Sequence, residues 1–454
     1  MRIGIDAKRL FFNYTGLGNY GRQFVHALQT VVREQDEILL FSPKSIENSP
    51  FKSEFLASNI SNTNPIGINK LLGSSFWRTF ILPNELSKNK IGIYYGISNE
   101  LPVGIHKLSL KKVVIVHDLI FLRFPELYPA IDVFFYKKKT KYAAKVADRI
   151  IAVSEQTKQD LIDFYGISTD KIAVIPPLCD EIYYSTDNSI SQNFHQSIKK
   201  PYCLNVGSIT PRKNLLLALK AFGALTQKHD LDFVVVGTAV GAGKKYLSEI
   251  QGFIHQNGLE NRVHFLGKVD KKQMPWLYQN AKFMVYPSQF EGFGMPIAES
   301  LAAKTPVITT KGGCFEEAGG PGALYVPANN LEELERAMVL LATDDTPCSR
   351  LANAGFDHVL QAGEVDGLVG AREGQVRAHH GAQLVHHRAA AGHHHHADEA
   401  GDAGLERHPL AVLALVGADG GVGLLVGDVL VELVDDVDEV DGDGAVGVLV
   451  GRQR

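Results

Sequence analysis

Two glutamates in the segment EGFGMPIAES have the spacing to bind hydroxyl groups of a ligand. Glu291 and Glu299 follow the apolar stretch FMVYP, so the first would lie on a loop at a strand end and the second in the next helix. Gly292 and Gly294 would let the backbone approach a ligand, and Pro296 suits the first turn of that helix. One carboxylate would then accept hydrogen bonds from a sugar and the other from a ribose. In the alternative interpretation, Glu299 caps the helix and Glu291 is a solvated loop residue.

Two adjacent cations, Arg212 and Lys213, occur in the segment GSITPRKN between an apolar strand and the next helix. A guanidinium offers a planar pair of donors and an ammonium offers a point charge, which together suit a diphosphate. Cations at the start of a helix are unfavourable against the helix dipole. This placement predicts an anionic partner, with two plain surface charges as the alternative.

The first half of the chain carries two weaker motifs. Gly16 and Gly18 follow the strand RIGID, and a helix is predicted to open near residue 19. A glycine-rich turn there holds a phosphate in some proteins and only reverses the chain in others. The motif is not GxGxxG, and no acidic residue ends a second strand about 20 residues later, which disfavours a nicotinamide enzyme. His117 and Asp118 follow the strand KVVIV directly, which predicts a polar pair facing a ligand cleft.

Strand-length apolar runs alternate with helix-length stretches through residues 1–356, which is typical of βαβ units and parallel sheets. In the first half the predicted strands are 2–6, 37–41, 92–95, 112–116, 149–153 and 171–175, with helices at 19–33, 129–147 and 155–165. In the second half the predicted strands are 202–208, 232–237, 262–267, 283–287, 305–310 and 323–327, with helices near 213–228, 243–257, 271–280, 296–303 and 331–341. The pattern predicts an α/β protein with two doubly wound domains and a ligand cleft between them.

Composition sets the predicted domain boundaries at 1–184 for the first domain, 185–200 for a polar linker and 201–356 for the second domain. From residue 357 to 454 the chain uses only ten amino-acid types, all with codons that begin with G or C. This tail has 17 acidic and 6 basic residues, whereas the body has 33 and 40. We hypothesise that the tail is chimeric or read out of frame, and we expect disorder there. The histidine run 393–396 lacks a context that favours a metal site.

The whole chain has the composition of a globular protein, with 454 residues of which 45% are hydrophobic and 21% charged. It has no apolar run near the roughly 20 residues of a spanning helix, and its N-terminus does not resemble a secretory signal, so we expect a cytoplasmic protein. The four separated cysteines predict neither a disulfide framework nor a zinc site. Residues 134–145 are basic with interleaved aromatics, which fits peripheral membrane contact or a solvated helix face. The chain has no other basic stripe that would favour nucleic acid.

These motifs, in this order and spacing, resemble those of the retaining GT-B glycosyltransferases of family 4, the group 1 glycosyltransferases. The resemblance covers residues 1–356. It implies two Rossmann-like domains with an interdomain cleft, a nucleotide-diphosphate sugar as donor, and retention at the anomeric carbon. It also implies no cofactor and no obligatory metal.

The resemblance implies a role for each matching residue. Gly16 and Gly18 would lie over the donor phosphates and the acceptor, and His117 would lie near the transferred sugar. Arg212 and Lys213 would clamp the diphosphate. The remaining matches would bind the donor: Glu291 the sugar, Glu299 the ribose, Lys268 and Val269 the base through main chain, and Gly294, Met295 and Pro296 the sugar and phosphates.

Three features depart from the family pattern. Ser208 follows Gly207 where the family often has arginine, which leaves the phosphate clamp to Arg212 and Lys213. Tyr95 stands where related sequences tend to carry histidine, which bears on the acceptor. The tail replaces the Trp-containing helical segment that crosses back onto the first domain in family members.

The predicted function is transfer of a mannose- or glucose-type hexose to a hydroxyl of a saccharide or lipid-linked saccharide, in polysaccharide or cell-envelope biosynthesis. A nucleotide-sugar epimerase or hydrolase of the same fold is one alternative, and it would turn over without an acceptor. A catalytically inactive protein that binds sugar nucleotides is the other.

Overall fold

The computed structural model describes residues 1–14, 16–33, 35–65, 73–185, 198, 200–226, 229–239, 241 and 243–363, with three strands beyond residue 411. They contain two parallel sheets flanked by helices, as the alternating pattern predicts. We call the seven-stranded sheet with its helices the first lobe, and the six-stranded sheet with its helices the second lobe. Both sheets belong to one compact unit, Met1–Gln23 with Gln35–Gln361.

The first lobe has the strand order β3-β2-β1-β4-β5-β6-β7, with all neighbours parallel. Its strands are β1 (Arg2–Asp6), β2 (Glu37–Phe41), β3 (Ile60–Thr63), β4 (Ile93–Gly96), β5 (Lys111–Val116), β6 (Arg149–Ala152) and β7 (Ile172–Val174). Its helices are α1 (Lys8–Phe12), α2 (Gly16–Val31), α3 (Ser74–Phe76), α4 (Leu82–Lys88), α5 (Ile120–Arg123), α6 (Ala130–Val146) and α7 (Glu155–Tyr165). The strand order reverses between β1 and β4, which makes this pair the topological switch point where a ligand crevice opens.

The second lobe has the order β10-β9-β8-β11-β12-β13 and is also parallel. Its strands are β8 (Tyr202–Val206), β9 (Asp232–Val236), β10 (Val263–Gly267), β11 (Ala281–Tyr286), β12 (Val307–Thr310) and β13 (Ala323–Val326). Its helices are α8 (Leu215–Thr226), α9 (Gly243–Gln256), α10 (Met274–Gln279), α11 (Met295–Ala302), α12 (Cys314–Gly319), α13 (Leu331–Thr343) and α14 (Asp345–Gly363). Its switch point lies between β8 and β11.

Each lobe has its own apolar core, because helices cover both faces of each sheet and leave the strands almost wholly buried. Trp77 and Tyr94 are among the largest buried side chains of the first core. Phe222, Phe233 and Phe283 are among the largest buried side chains of the second core. The apolar runs that predicted the strands therefore form the two cores that hold the switch points in place.

The structure adds elements that the pattern did not predict. The strand β3, ISNT, pairs with β2 at the sheet edge and lacks the apolar run of a central strand. The helix α2 begins at Gly16 rather than near residue 19. The helix α14 runs through residue 357, the compositional start of the tail, and Val359 beyond that point is buried. The helix continues there because apolar side chains still recur at helical spacing.

The second compact unit joins Phe24–Glu34 to Ala362–Arg454. Its described strands β14 (Val412–Val416), β15 (Val422–Val426) and β16 (Val429–Leu433) form an antiparallel sheet. The remaining tail positions, including the histidine run 393–396, lie outside the described residues. Most of the predicted linker, 186–197, lies outside them too.

Candidate functional site

Two loops meet at the switch point of the second lobe, one after β8 and one after β11. The loop after β8 forms a 3₁₀ turn, Pro211–Lys213, and α8 begins only after Asn214. Arg212 and Lys213 therefore precede α8 and do not belong to its first turn. The loop after β11 carries Glu291 and ends at Gly294, whose φ of +100° favours glycine.

The structure brings both cations onto one carboxylate oxygen. Arg212 Nη1 lies 2.8 Å and Lys213 Nζ 2.9 Å from Glu291 Oε1. Two hydroxyl groups donate to the same oxygen, Ser288 Oγ at 2.7 Å and Tyr286 OH at 3.0 Å. We call Arg212, Lys213 and Glu291 the charged cluster; their side chains are only 12% to 14% exposed.

The charged cluster pairs two cations with one carboxylate and is therefore not neutral. Burial alone would raise the pKa of Glu291, but the charges of Lys213 and Arg212 outweigh it and lower this pKa to about 2. The carboxylate therefore stays ionised at neutral pH. Two cations and one anion leave the cluster itself with a net positive charge, which the nearby carboxyl of Asp118 partly offsets, in surroundings that screen charges weakly. Such a site attracts a further anion.

Glu299 lies apart from these contacts, on the second turn of α11. Its Oε2 accepts a hydrogen bond of 2.8 Å from Tyr278 OH, and burial raises its pKa. The expected placement in the helix after the strand is observed. The structure gives this carboxylate two tyrosine partners, Tyr278 of α10 and Tyr183, so its predicted contact with a ribose stays a prediction. Met295 and Pro296 form the first turn of the same helix, and both are half-buried.

His117 and Asp118 lie at the carboxyl end of β5, as predicted. His117 Nε2 donates to Ile97 O at 2.8 Å, which leaves Nδ1 as the acceptor of the neutral ring. Burial, aided by the charge of Arg9, lowers the pKa of His117 to about 4. Asp118 Oδ1 accepts from Ile120 N at 3.1 Å and so caps α5. Burial raises the pKa of Asp118, and the nearby Arg212 opposes that shift.

The glycine loop of the first lobe is shaped by Gly18. A side chain there would place its Cβ 1.9 Å from the carbonyl oxygen of Asn13, whereas a Cβ on Gly16 would meet open space. Arg22 holds the loop by donating to Leu10 O at 2.7 Å and to Asn13 O at 3.0 Å. Gly18 is therefore required by local packing, and the phosphate role of both glycines stays a prediction.

Lys268 and Val269 follow β10 at the same edge of the second sheet. The Lys268 ammonium lies 4.4 Å from the ring centre of Tyr14, in the loop that precedes the first lobe's glycines. Val269 is half-buried. The contact links the two lobes beside the loop for which a base-binding role is predicted.

A junction between the lobes lies beside Glu291. Ser154 Oγ accepts from Thr157 N at 3.1 Å, which caps α7, and donates to Gly292 O at 2.6 Å. The carboxylate of Glu317, on α12, accepts from the first-turn amide of Glu155 at 2.8 Å. A second-lobe carboxylate thus lies at the positive end of a first-lobe helix, which is a favourable arrangement.

Gly292 is needed at this junction for a reason that the sequence did not reveal. A Cβ there would lie 2.0 Å from the carbonyl oxygen of His117. The sequence suggested close approach to a ligand, whereas the observed approach is to the backbone of the other lobe. The glycine therefore lets the Glu291 loop and the His117 loop touch.

Several residues at the site escaped the sequence analysis. Asn99 accepts from His117 N at 2.8 Å and donates to Asp118 O at 3.0 Å, so it fixes that loop. Thr210 Oγ1 is buried beside the two cations and has no hydrogen-bond partner within the described part of the chain. Ser154 had a readable signal, a serine directly before a predicted helix. The roles of Asn99 and Thr210 depend on contacts between loops, which spacing does not show.

Two family models match the chain one after the other. The family described as "Glycosyltransferase Family 4" matches residues 16–181, and "Glycosyl transferases group 1" matches residues 187–358. The chain belongs to the group 1 glycosyltransferases. Two similar proteins are the O-antigen chain mannosyltransferase B of Escherichia coli and the O-antigen chain mannosyltransferase RfbU of Salmonella typhimurium, each 25% identical. Their alignments cover 76% and 79% of this chain, and 92% and 97% of those proteins.

Solved structures share the fold of this glycosyltransferase. The sucrose-phosphate synthase of Thermosynechococcus elongatus superposes with a TM-score of 0.63 at 18% identity, over 86% of this chain and all of that one. Anabaena HepE in complex with UDP-glucose gives a TM-score of 0.63 at 17% identity, over 84% of this chain and 100% of that one. The predicted GT-B fold is confirmed. Within the described residues of the glycosyltransferase, no helix has the length and apolar character needed to cross a bilayer.

The buried carboxylate of the charged cluster predicts a pH dependence of stability. The pKa of Glu291 is lowered from 4.5 to about 2 by folding, so its ion pairs stabilise the fold above about pH 4.5 and are lost as the pH falls through about 2. The free energy of unfolding, from urea titrations at about pH 5 and pH 3, should fall by at least about 1 kcal/mol more in the wild type than in Glu291→Gln. Parallel pH profiles of the two proteins would contradict the ion pairs.

From its hydrogen bond to Gly292 O, we expect Ser154 to position the loop that carries Glu291. Glycine caps a helix nearly as well as serine but cannot donate to Gly292 O, so Ser154→Gly separates the two tasks. We expect Ser154→Gly to lower kcat about five- to tenfold, with little change in Tm, and Ser154→Thr to restore turnover. Steady-state kinetics and a thermal melt of both variants provide the check. If Thr and Gly behave alike, the hydroxyl has no such role.

Proposed function

We propose that this glycosyltransferase moves a hexose from a nucleotide-diphosphate sugar to a hydroxyl of a saccharide or lipid-linked saccharide, with retention at the anomeric carbon. The observation that carries the proposal is the charged cluster at the switch point of the second lobe. Two cations there share one carboxylate, and the cluster keeps a net positive charge. A diphosphate is the anion that two neighbouring cations at strand ends suit best.

The cluster suggests how the donor would be held. A diphosphate that draws Arg212 and Lys213 toward its oxygens would leave Glu291 partly free to accept from hydroxyls of the sugar. Ser288 and Tyr286 would keep the carboxylate in place during this exchange, because both already donate to it. The buried hydroxyl of Thr210 would supply a further donor to a phosphate oxygen. Glu299 is assigned to the ribose, and main chain at 268–269 to the base.

The chemical step requires stabilisation of the leaving diphosphate. The bond between the anomeric carbon and the phosphate oxygen breaks, a bond from that carbon to the acceptor oxygen forms, and the acceptor proton passes to the departing phosphate. Fixed cations that meet the growing negative charge would supply much of the rate enhancement. Neutral His117, with Nδ1 as an acceptor, would orient a hydroxyl of the transferred sugar. Contact between the lobes would bring the acceptor to the same face.

The sugar and the base are proposed from the relatives. Two proteins similar along nearly their whole length are named mannosyltransferases, which favours mannose. A structural neighbour that binds UDP-glucose makes a glucose-type donor the second candidate. An epimerase or hydrolase would release nucleotide without an acceptor, and an inactive binding protein would bind nucleotide without turnover. Product analysis with and without acceptor separates the three.

Loss of the cation pair should abolish transfer. We expect Arg212→Ala with Lys213→Ala to lower kcat/KM by at least about a thousandfold, because each charged donor to a transition-state anion contributes several kcal/mol. The matched control is Lys244→Ala with Lys245→Ala, two exposed lysines of the same lobe that also remove two positive charges. Radiolabelled transfer from GDP-mannose and UDP-glucose measures both variants. Unchanged turnover in the first double variant would refute the clamp.

We also propose peripheral contact between α6 and an anionic membrane. The N-terminal half of this helix is largely exposed, with Phe134 at 53%, Phe135 at 51% and Ile131 at 61%. Lysines follow at 137, 138, 139 and 141. Exposed aromatics beside lysines suit the interface of a bilayer that carries negative headgroups.

Vesicle flotation tests the membrane contact. Phe134→Ser with Phe135→Ser should abolish flotation with phosphatidylserine vesicles, and pure phosphatidylcholine vesicles should bind the wild type poorly. The control is Val339→Ser with Leu340→Ser, an exposed apolar pair on α13 of the second lobe without a lysine run. If the wild-type protein stays in the bottom fraction with all vesicles, α6 is a solvated helix face.

A further inference from the structure

The switch point of the first lobe carries a second pair of adjacent cations. The helix α1 starts two residues after β1 and begins with Lys8 and Arg9. In the second lobe, Arg212 and Lys213 likewise follow the first strand, β8, at its switch point. Both pairs lie where parallel strands end, which is the part of a doubly wound sheet that binds ligands.

Acidic side chains at this edge are already engaged by other cations. Arg78 Nε donates to Asp6 at 2.9 Å, and Arg78 Nη1 lies 2.8 Å from Glu100. Lys139 Nζ reaches the other oxygen of Glu100 at 3.1 Å. Arg78 and Asp6 are almost fully buried, so these pairs form a fixed base beneath α1.

Among the described residues, Lys8 and Arg9 do not share in these ion pairs. The Nε–H of Arg9 is buried and makes no hydrogen bond to the described residues. The described acids likewise form no ion pair with the ammonium of Lys8. Burial and the charges of Arg78 and Arg9 lower the pKa of Lys8, and the carboxylates of Glu100 and Asp6 oppose that shift. A buried donor without a partner costs free energy unless a ligand satisfies it.

This pair lies next to the proposed reaction centre. The strands β1 and β4 pair in parallel, with Ile5 opposite Tyr95, so the segments that follow them leave the sheet at the same edge. His117 in turn donates to the carbonyl of Ile97, in the segment that follows β4. The pair therefore lies on the first-lobe side of the site, where the acceptor would enter.

We propose that Lys8 and Arg9 form an anion subsite that binds a phosphoryl group carried by the acceptor saccharide. This inference rests on the proposed function, because it assigns the acceptor side of the same cleft. The guanidinium of Arg9 supplies paired donors and Lys8 supplies a point charge, and a doubly charged phosphoryl group matches both. The subsite selects acceptors that carry phosphate close to the accepting hydroxyl.

Calorimetric binding tests the subsite without knowledge of the natural acceptor. The probes are mannose 1-phosphate and methyl α-mannoside, titrated into the full-length protein with GDP in excess to occupy the charged cluster. We expect the wild type to bind the phosphate at least about tenfold more tightly than the methyl glycoside. Lys8→Gln with Arg9→Gln should remove that preference, and Lys107→Gln, an exposed lysine of the same lobe, should keep it.

The outcomes separate this proposal from the proposed function. Loss of GDP binding in the Arg212 and Lys213 variant tests only the donor clamp. The preference of the GDP-bound protein for mannose 1-phosphate over methyl α-mannoside tests only Lys8 and Arg9. Equal wild-type affinities for the two probes would overturn the subsite. Equal weakening of both probes in the double variant would give the pair a structural role, and a thermal melt would show it as lowered stability. Mannuronic acid binding as tightly as the phosphate would make the group a carboxylate and overturn the phosphoryl assignment.

Lipid-linked and soluble sources of the phosphate are distinguished by turnover. A prenyl-diphosphate-linked saccharide and a soluble saccharide phosphate with the same accepting sugar are compared as acceptors, with inorganic phosphate as competitor. Faster transfer to the lipid-linked acceptor, lost in the Lys8 and Arg9 variant, identifies that source. Equal transfer to both, again lost in the variant, identifies the phosphoryl group alone. Equal transfer in wild type and variant would contradict the subsite.

Discussion

A single carboxylate oxygen, Glu291 Oε1, organises the second lobe's site, because it accepts from two cations and two hydroxyl groups at once. Such a cluster forms only if the loops after β8 and β11 end at the same edge of the sheet. Parallel pairing guarantees that, and the reversal of strand order opens a crevice between them. The apolar strands thus hold charged groups at fixed positions in weakly screening surroundings, where their charges act strongly on an arriving anion.

The charged cluster is also tied to the other lobe. The loop that carries Glu291 is held by Ser154, which caps α7 with the same oxygen atom that donates to Gly292 O. Glu317 reinforces this contact at the start of α7. Because Ser154 and Glu317 both accept from amides in the first turn of α7 and link that turn to the second lobe, the local structure of α7 and the approach of the lobes are energetically coupled.

Much of the fold could be predicted from the sequence, since buried parallel strands are continuous apolar runs. The strand RIGID and the strand EILLF have the predicted bounds, and both lobes have the predicted order of elements. The edge strand ISNT has no apolar signal, so it was missed. The boundary at residue 357 is one of composition, and α14 extends past it to Gly363.

The site was predictable where chemistry and strand ends coincide, as for Arg212, Lys213 and Glu291. It was less predictable where a residue acts through a neighbouring loop. The hydrogen bond from Tyr278 to Glu299, the bridging amide of Asn99 and the double role of Ser154 depend on tertiary contacts. Such contacts cannot be predicted from sequence periodicity, because the spacing of residues indicates only which face of an element or which strand end a residue occupies.

The close approach of Gly292 to the His117 carbonyl has a consequence for enzyme engineering. Any larger residue at this position would force the two lobes apart, so this close contact requires glycine. Engineering of donor specificity therefore has more room in segments without a backbone clash to the opposite lobe, such as the turn after β10, whose Lys268 meets the ring of Tyr14 there. The absence of a Cβ at Gly292 thus determines which segments of the site can change without separating the lobes.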